Sequence, residues 1–320
     1  MTSGFLVVDK PEGITSHDAV AILRAVLGLK RIGHTGTLDP FATGVLPLAL
    51  DRATSLIQYL DEDLKVYDAT IQLGSSTDTG DLTGTVVREA PVPQVDADGV
   101  RAVLETFRGV RMQLPPRYSA VKVAGRRLYA YARAGEEVQA QPRPVRIDAI
   151  ELVELELPRL RVRITCGRGT YARVLADEIA VALGSAGHLV ALRRERSGVF
   201  DLEGALSMDE LAGIVAGRSD WRPVLRPPRG TERVAWRPRD EVRAALTPRL
   251  WSPARALAHL PVLAISPGQR DLMQRAGQTP APPPGLAEGQ HFRAQVDDEL
   301  IALLRVERGR ARMACLVVLG

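Results

Sequence analysis

The residues best equipped for chemistry lie in one short segment, RIGHTGTLDPFATGVLPLAL (31–50). Gly33, Gly36 and Gly44 permit tight backbone geometry there, and Pro40 pushes Asp39 toward an extended conformation that fixes the direction of its carboxylate. A carboxylate so held can act as nucleophile, general base or ligand; by spacing alone, an Asp-Pro in a glycine-rich run also reads as a turn. Other chemistries lack their signatures, since the chain has no phosphate-binding loop, no dinucleotide glycine motif and no H-E-x-x-H. The five histidines (His17, His34, His188, His259, His291) do not cluster with cysteines or carboxylates at metal-ligand spacing. The expectation is a mechanism with no metal and no cofactor.

Charge points to a partner. Arginine supplies 38 of the 42 basic residues, and the net charge is +4. That excess permits nucleic-acid binding without requiring it, and GC-rich coding also enriches arginine. Residues 115–146 are more specific: Arg117, Lys122, Arg126, Arg127, Arg133, Arg143 and Arg146 face only Glu136 and Glu137, a net +5 in one segment. Tyr118, Tyr129 and Tyr131 are interleaved, the mix of cations and stackable rings that suits single-stranded or looped RNA. The competing reading is a solvated helix face with two tyrosines in the core.

The elements that must position these residues are legible in the first 210 residues, where short β-rich runs alternate with amphipathic helices. GFLVV (4–8) reads as a strand, and Thr15 or Ser16 can cap a helix with Ala19, Val20, Leu23, Val26 and Leu27 on one face and Gly28 at its end. KVYDATIQL (65–73) alternates, with Lys65, Tyr67, Ala69, Ile71 and Leu73 on one side, before the turn-rich DTGDLTG (78–84). The runs 145–155 and 159–166, separated by Pro158, read as a hairpin. Thr170 then reads as the cap of a helix whose buried stripe is Val174, Leu175, Ile179, Ala182 and Leu183. Between about 218 and 256 the texture turns to arginine, proline and tryptophan and reads as a linker or surface excursion. A boundary near 258 is expected, followed by a small β-rich module with one helix-like run and three strand-like runs.

At 320 residues, 45% apolar and 25% charged, the chain has the balance of an ordinary soluble protein of about two or three domains. No stretch approaches the roughly 18 consecutive apolar residues of a membrane span. The start shows no signal-peptide pattern, and Cys166 and Cys315 stand in no C-x-x-C spacing, so a cytoplasmic location is expected.

GHTGTLDPFATGVLP closely resembles the catalytic signature of the bacterial tRNA pseudouridine-55 synthases, the TruB-type family, in which the aspartate of the motif is essential. VVDKPEGITSHD (7–18) resembles the family's first motif and KVYDATIQLGSSTDTGDLTG (65–84) its second. YSAVKVAGRRLYAYARAGEEV resembles the insertion that grips the RNA, CGRGTYARVLADEIAVALG the arginine motif and HLVALRRERSGVF the strand after it. The matches run in the family's order over about residues 4–210. The tail from LPVLAISPGQRDLMQRAG onward resembles a small RNA-binding PUA domain.

The resemblance implies an α+β fold: a mixed, largely antiparallel sheet with flanking helices in a catalytic domain over 1–258, and a PUA-like domain over 259–320. It implies isomerisation of uridine 55 in the T loop of tRNA by base flipping, with no cofactor, no membrane association, no obligatory protein partner and a monomeric enzyme. Asp39 becomes the nucleophile. Arg173 pairs with it and keeps it ionised, and Tyr67 stacks on the flipped uracil and takes the C5 proton. Tyr171 and Leu192 wall the pocket, and His34 enters the space the nucleotide leaves, helping to offset an unstacking cost of a few kcal/mol. Lys10, Asp81, Arg126 and Arg127 are expected at the substrate, although singly each has a structural reading, such as a strand-end charge or a loop carboxylate.

Two departures stand out: Ser55 occupies a position where many relatives have lysine, and residues 218–247 read as an insertion without a family counterpart. The rival readings are a guide-RNA-dependent pseudouridine synthase, which shares the aspartate motif, and a non-catalytic RNA-binding or RNA-folding protein of the same fold. The basic segment at 115–146 speaks against the first, and the joint presence of Asp39, Tyr67 and Arg173 against the second.

Overall fold

The computed structural model describes residues 3–61, 64–119, 121–136, 138–228, 230–231 and 234–317, with the backbone alone at 127 and 132. The main strands are β1 (Gly4–Lys10), β2 (Ile32–His34), β3 (Thr43–Leu50), β4 (Lys65–Leu73), β5 (Gly109–Gln113), β6 (Arg143–Glu156), β7 (Arg159–Cys166), β8 (Gly187–Ser197) and β9 (Leu206–Ser207). They lie in the order β9-β1-β3-β8-β4-β7-β6-β5, with β2 beside β3 and Phe200–Asp201 beside β8. Only the β9/β1 and β3/β8 pairings are parallel. The sheet is therefore mixed and largely antiparallel, as expected.

β1 reads as a continuous apolar run because both of its faces are covered. Leu6 and Val8 enter the larger core with α1 (Ser16–Leu27), while Phe5 and Val7 enter a second core on the other side. The ends of α1 match the sequence: Thr15 and Asp18 form a reciprocal capping box, and Gly28 closes the helix at φ 63°. The β6/β7 hairpin turns at Leu157 and Pro158. Further along come α2 (Ala97–Glu105), α3 (Ala172–Ala182) and α4 (Met208–Ala216).

Two local expectations are corrected. Thr170 does not cap α3; its hydroxyl donates to the Gly167 carbonyl, and Tyr171 occupies the cap without a side-chain bond. The buried stripe of α3 is Ala172, Arg173, Leu175, Ala176, Ile179 and Ala180, with Ala182 exposed. The helix is rotated so that an arginine faces inward, which an apolarity count does not register.

The stretch read as a linker is a packed cap. α5 (Trp221–Leu225) and α6 (Arg239–Leu246) bury Trp221, Val224, Leu225, Val242 and Leu246 in the same core as α1. The Arg243 guanidinium donates to the Leu27 carbonyl at 3.0 and 2.7 Å, satisfying the C-terminal end of α1. Trp221, Val224 and Leu225 sit at i, i+3, i+4, but the arginines and prolines around them mask the period.

The C-terminal sheet runs β10 (Val262–Ala264), β11 (His291–Val296), β12 (Glu299–Glu307) and β13 (Arg310–Leu316), with α7 (Pro267–Ala276) beside it. β10 is one strand more than the sequence suggested. Leu300, Leu303 and Val317 pack with Phe5, Val45, Ala49 and Leu56, so the second core joins this sheet to the back of the main one. Ser55 lies at that junction, 3.2 Å from the sulfur of Cys315. Cys166 and Cys315 are free thiols. Among the described residues no helix is long and apolar enough to cross a membrane.

Gly44 is the tightest point of the fold. Its φ is 102°, and a Cβ there would lie 2.2 Å from the Arg194 carbonyl oxygen where β3 meets β8. Gly44→Ala is expected to cost at least about 3 kcal/mol in urea unfolding, because strain and overlap with backbone add. A loss below about 1 kcal/mol, the size of an ordinary substitution, would show that β3 and β8 can separate freely.

Candidate active site

Asp39 lies in the loop between β2 and β3, and the loop is held by its carbonyls. Arg194 donates to Gly36 and Thr37 at 3.2 Å each. Ser16 Oγ donates to Leu38 and accepts from the Leu38 N–H, and Ala42 N–H donates to Asp39. Pro40 takes both the Gly13 N–H at 2.8 Å and Lys10 Nζ at 3.3 Å. Leu38, Phe41 and Ala42 are buried beneath. The loop thus presents a carboxylate on a backbone with little freedom to move.

That carboxylate meets Arg173, which α3 turns inward. Arg173 Nε donates to Asp39 Oδ2 at 2.9 Å, Nη1 to the Thr79 carbonyl at 2.6 Å and Nη2 to the Tyr118 carbonyl at 2.9 Å. A second carboxylate, Asp81, stands 3.8 Å from Nε. The two acids differ in what they have left to give. Asp81 is 7% exposed, and its Oδ1 accepts from Thr79 Oγ1, Thr83 N–H and Thr83 Oγ1. Asp39 is 36% exposed and, among the described residues, its carboxylate accepts only from Arg173. Asp81 is a buried counter-ion whose Oδ1 is occupied by three donors, whereas Asp39 keeps lone pairs open to a ligand.

Tyr67, Ala69, Leu192 and Arg194 share one face of β4 and β8, where Tyr67 pairs with Arg194 and Ala69 with Leu192. Leu192 is a core residue. Tyr67 is half-buried. Burial pushes its hydroxyl pKa up; Arg194 opposes the rise and the charge of Asp39 adds to it. His34, on β2, packs edge-on against His17 with ring centroids 5.3 Å apart. Its Nδ1 is buried without a partner among the described residues, and burial followed by the charges of His17 and Arg194 lowers its pKa. The Tyr171 backbone is fixed from both sides by the buried amide of Gln113.

The structure thus brings Asp39, Arg173 and Asp81 together, with Tyr67, Leu192, His34 and Tyr171 on the surrounding elements. It places the other basic candidates elsewhere. Lys10 is wholly buried and donates to Pro11, Ile14 and Pro40, so it positions the loop rather than presenting an ammonium outward. Arg126 sits on a two-strand ribbon (122–123 and 126–127), bidentate to Glu136 and over the Tyr131 ring. Arg127 pairs with Lys122 through its backbone, and its side chain lies outside the described residues. No group of three or more His, Cys, Asp or Glu residues among those described is placed to hold a metal ion.

Sequence reasoning missed Arg194, Ser16 and Gln113. Arg194 is 1% exposed and also donates to Val45, so one side chain serves three carbonyls. In the sequence it sits in the charged run Arg193–Arg196, which gives no sign that this one side chain is buried.

Arg194→Met should leave three carbonyls without donors and lower stability by about 3 kcal/mol or more. Amide exchange at Thr35 and Ala42 should accelerate while that of Ala302 in the C-terminal sheet does not. Equal acceleration at all three would mean that Arg194 stabilises the fold without holding the loop in particular.

Burial lowers the Lys10 pKa from 10.5 to about 8. Between those values the unfolded chain binds more protons than the folded one, so stability rises with pH across the window. The wild type should therefore gain on Lys10→Met between pH 8 and 10.5, and lose that gain as pH falls through 8. Urea midpoints of both proteins at pH 7.5 and 9.5 check it; parallel midpoints would show that Lys10 titrates normally.

Residues 24–172 match the family described as TruB family pseudouridylate synthase, N-terminal domain. The tRNA pseudouridine synthase B of Geobacter sulfurreducens is 47% identical over 208 residues, covering 65% of this chain and 68% of that protein. The protein of the same name from Gloeobacter violaceus is 48% identical over 219 residues, covering 67% and 75%. Among solved structures, a chain of a Cbf5-Nop10-Gar1 complex superimposes with a TM-score of 0.67 at 27% identity, covering 99% of this chain and 84% of that one. A chain of an H/ACA RNP bound to a substrate RNA containing 2'-deoxyuridine gives the same TM-score at 25% identity, covering 99% and 85%. With Asp39 held open beside Arg173 on this sheet, and with relatives of this closeness over most of their length, the chain belongs to the TruB family of pseudouridylate synthases.

Proposed function

We propose that the protein isomerises uridine 55 in the T loop of tRNA to pseudouridine, working alone and with Asp39 as the nucleophile. The observation that carries this reading is the Asp39–Arg173 pair: a rigidly presented carboxylate, ion-paired at 2.9 Å yet with open lone pairs. The bond changes balance internally. N1–C1' breaks, C5–C1' forms, C5 loses a proton and N1 gains one, so no donor or redox partner is consumed. Asp39 attacks the nucleoside as the glycosidic bond breaks, and Arg173 aims the carboxylate through its Nε hydrogen bond.

The remaining site residues take supporting roles. Tyr67 stacks on the flipped uracil, and its hydroxyl receives the C5 proton. Because burial keeps that hydroxyl a neutral phenol, it accepts a proton only by passing its own on. Tyr171 and Leu192 bound the pocket, and His34 enters the space vacated in the RNA. Residues 115–146, with Arg126, Arg127 and the exposed Tyr118, grip the T stem-loop. Residues 1–258 act as the catalytic domain and 259–320 as a PUA-like RNA-binding domain, in a cytoplasmic monomer.

A guide-RNA-dependent enzyme is the nearest alternative, because the H/ACA chains share the fold over the whole length. The closer identity to the tRNA pseudouridine synthases B, 47–48% against 25–27%, favours the stand-alone reading, as does the basic 115–146 segment. The deciding experiment incubates the purified chain alone with an unmodified tRNA transcript and maps pseudouridine. A product at position 55 supports the proposal. No product without an added guide RNA would overturn it.

Asp39→Asn should abolish product while tRNA affinity stays within a few-fold of wild type, since the amide keeps the shape but not the nucleophile. Full turnover by this variant would sink the assignment. Tyr67→Phe should keep tRNA affinity and give little product in a single turnover, because only the proton acceptor is lost. Wild-type product yield from Tyr67→Phe would leave the ring as a stacking platform alone.

A further inference from the structure

The positive charge of this chain sits in two segments. Residues 115–146 carry a net +5, and so do residues 218–239, where seven arginines face only Asp220 and Glu232. With a total of +4, the rest of the chain is net negative at −6.

Most of this second concentration of charge lies outside the packing, with Arg222 over the Trp221 ring at 4.8 Å as the exception. The packing of α5 against the core is done by Trp221, Val224 and Leu225. Arg218, Arg222, Arg226, Arg237 and Arg239 are all exposed. Among the described residues, Arg218, Arg222, Arg237 and Arg239 form no ion pair, and Arg226 reaches Asp18 at only 3.4 Å. Like charges crowded on one cap, with a single ion pair among those described, repel one another, and an external polyanion would relieve that repulsion.

The position of the segment says where such a polyanion would lie. Arg222 Nη2 is 3.4 Å from the Glu12 carbonyl and borders Gly13, whose N–H holds Pro40 of the Asp39 loop. Arg226 borders Asp18, next in sequence to His17, whose ring meets His34. The 115–146 segment reaches the same loop by separate contacts, through the Tyr118 carbonyl and Arg173. The Trp236 ring is 38% exposed among these arginines, with its N–H fixed on the Val224 carbonyl. A cation-rich surface with a fixed, open ring repeats the composition of the 115–146 segment, and RNA satisfies both features through phosphates and a stacked base.

We infer that the exposed arginines Arg218, Arg222 and Arg226, on and beside α5, form a second RNA-binding surface, which contacts substrate phosphates beside the active-site loop through Arg222 and Arg226. The inference rests on tRNA being the substrate, and the test reads that separately. Affinity of the full chain for the unmodified tRNA transcript is measured across salt concentrations for wild type and for Arg222→Gln with Arg226→Gln, beside pseudouridine formation by the wild type and the melting temperature of each protein. Loss of two phosphate contacts should reduce the log–log salt slope by roughly 1.4 to 1.8 and weaken binding at low salt. Arg226→Gln also releases Asp18, so Arg222→Gln is measured alone as well, with an expected reduction of roughly 0.7 to 0.9 at temperatures well below its own melting point, since Arg222 also lies over the Trp221 ring. Slopes equal to wild type in both variants would overturn the inference and leave the surface to a protein partner or to solvent. A wild type that forms no pseudouridine in tRNA would overturn the functional proposal instead.

Discussion

Five consecutive carbonyls, Gly36 to Pro40, each accept a hydrogen bond, and the donors come from four parts of the chain. They are Arg194 of β8, Ser16 of α1, the loop's own Ala42, and Lys10 at the end of β1 with Gly13 just after it. A loop built from Gly36, Thr37, Asp39 and Pro40 has little side chain to bury, so packing alone would not hold it. Hydrogen bonding to its backbone does, and α1, the β1–α1 turn and β8 must all sit where they do for it to work. The absence of a side chain at Gly44 and the full burial of Arg194 follow from the same requirement, since β3 and β8 must touch for the guanidinium to reach across.

The site also shows how burial and hydrogen bonding divide labour between two like residues. Arg173 is 6% exposed and needs acceptors on all sides, which Asp39, Thr79 and Tyr118 supply, with Asp81 at 3.8 Å. The local threonines occupy Oδ1 of the buried Asp81 with three hydrogen bonds. Asp39 lacks such partners. One buried cation therefore carries one structural and one available carboxylate, and the distinction lies in the Thr79 and Thr83 hydroxyls rather than in either aspartate.

Much of this was legible from the sequence where a local pattern had a local cause. The cap of α1 at Thr15 or Ser16, the alternation of 65–73 and the hairpin around Pro158 depend on neighbours within a few residues, and the structure has all three, with Thr15 as the cap. The misread features depend on distant partners. Tyr171 rather than Thr170 starts α3 because Gln113, 58 residues away, fixes its backbone. The buried face of α3 turns toward Arg173 because Asp39 and two carbonyls await it there. Lys10 was expected at the substrate from the resemblance alone, and the Pro11, Ile14 and Pro40 carbonyls that bury it belong to two loops. The cap at 218–247 was hidden by its own arginines, which surround the Trp221 stripe in the sequence and mask its period, although Arg222 lies over the Trp221 ring and Arg243 caps α1.

Arg194 reaches the Thr37 carbonyl across 157 residues of chain. During synthesis at about 5 to 20 residues per second, the loop leaves the ribosome roughly 8 to 30 s before the side chain that pins it. Throughout that interval β1, α1 and β3 can assemble with Ser16 and Lys10 in place, but the glycine-rich turn lacks two of its five anchors and the parallel edge of β3 lies open. The nascent chain therefore passes through a stage in which an unpaired strand edge must be kept from foreign strands, and the reactive aspartate gains its fixed geometry only when β8 arrives.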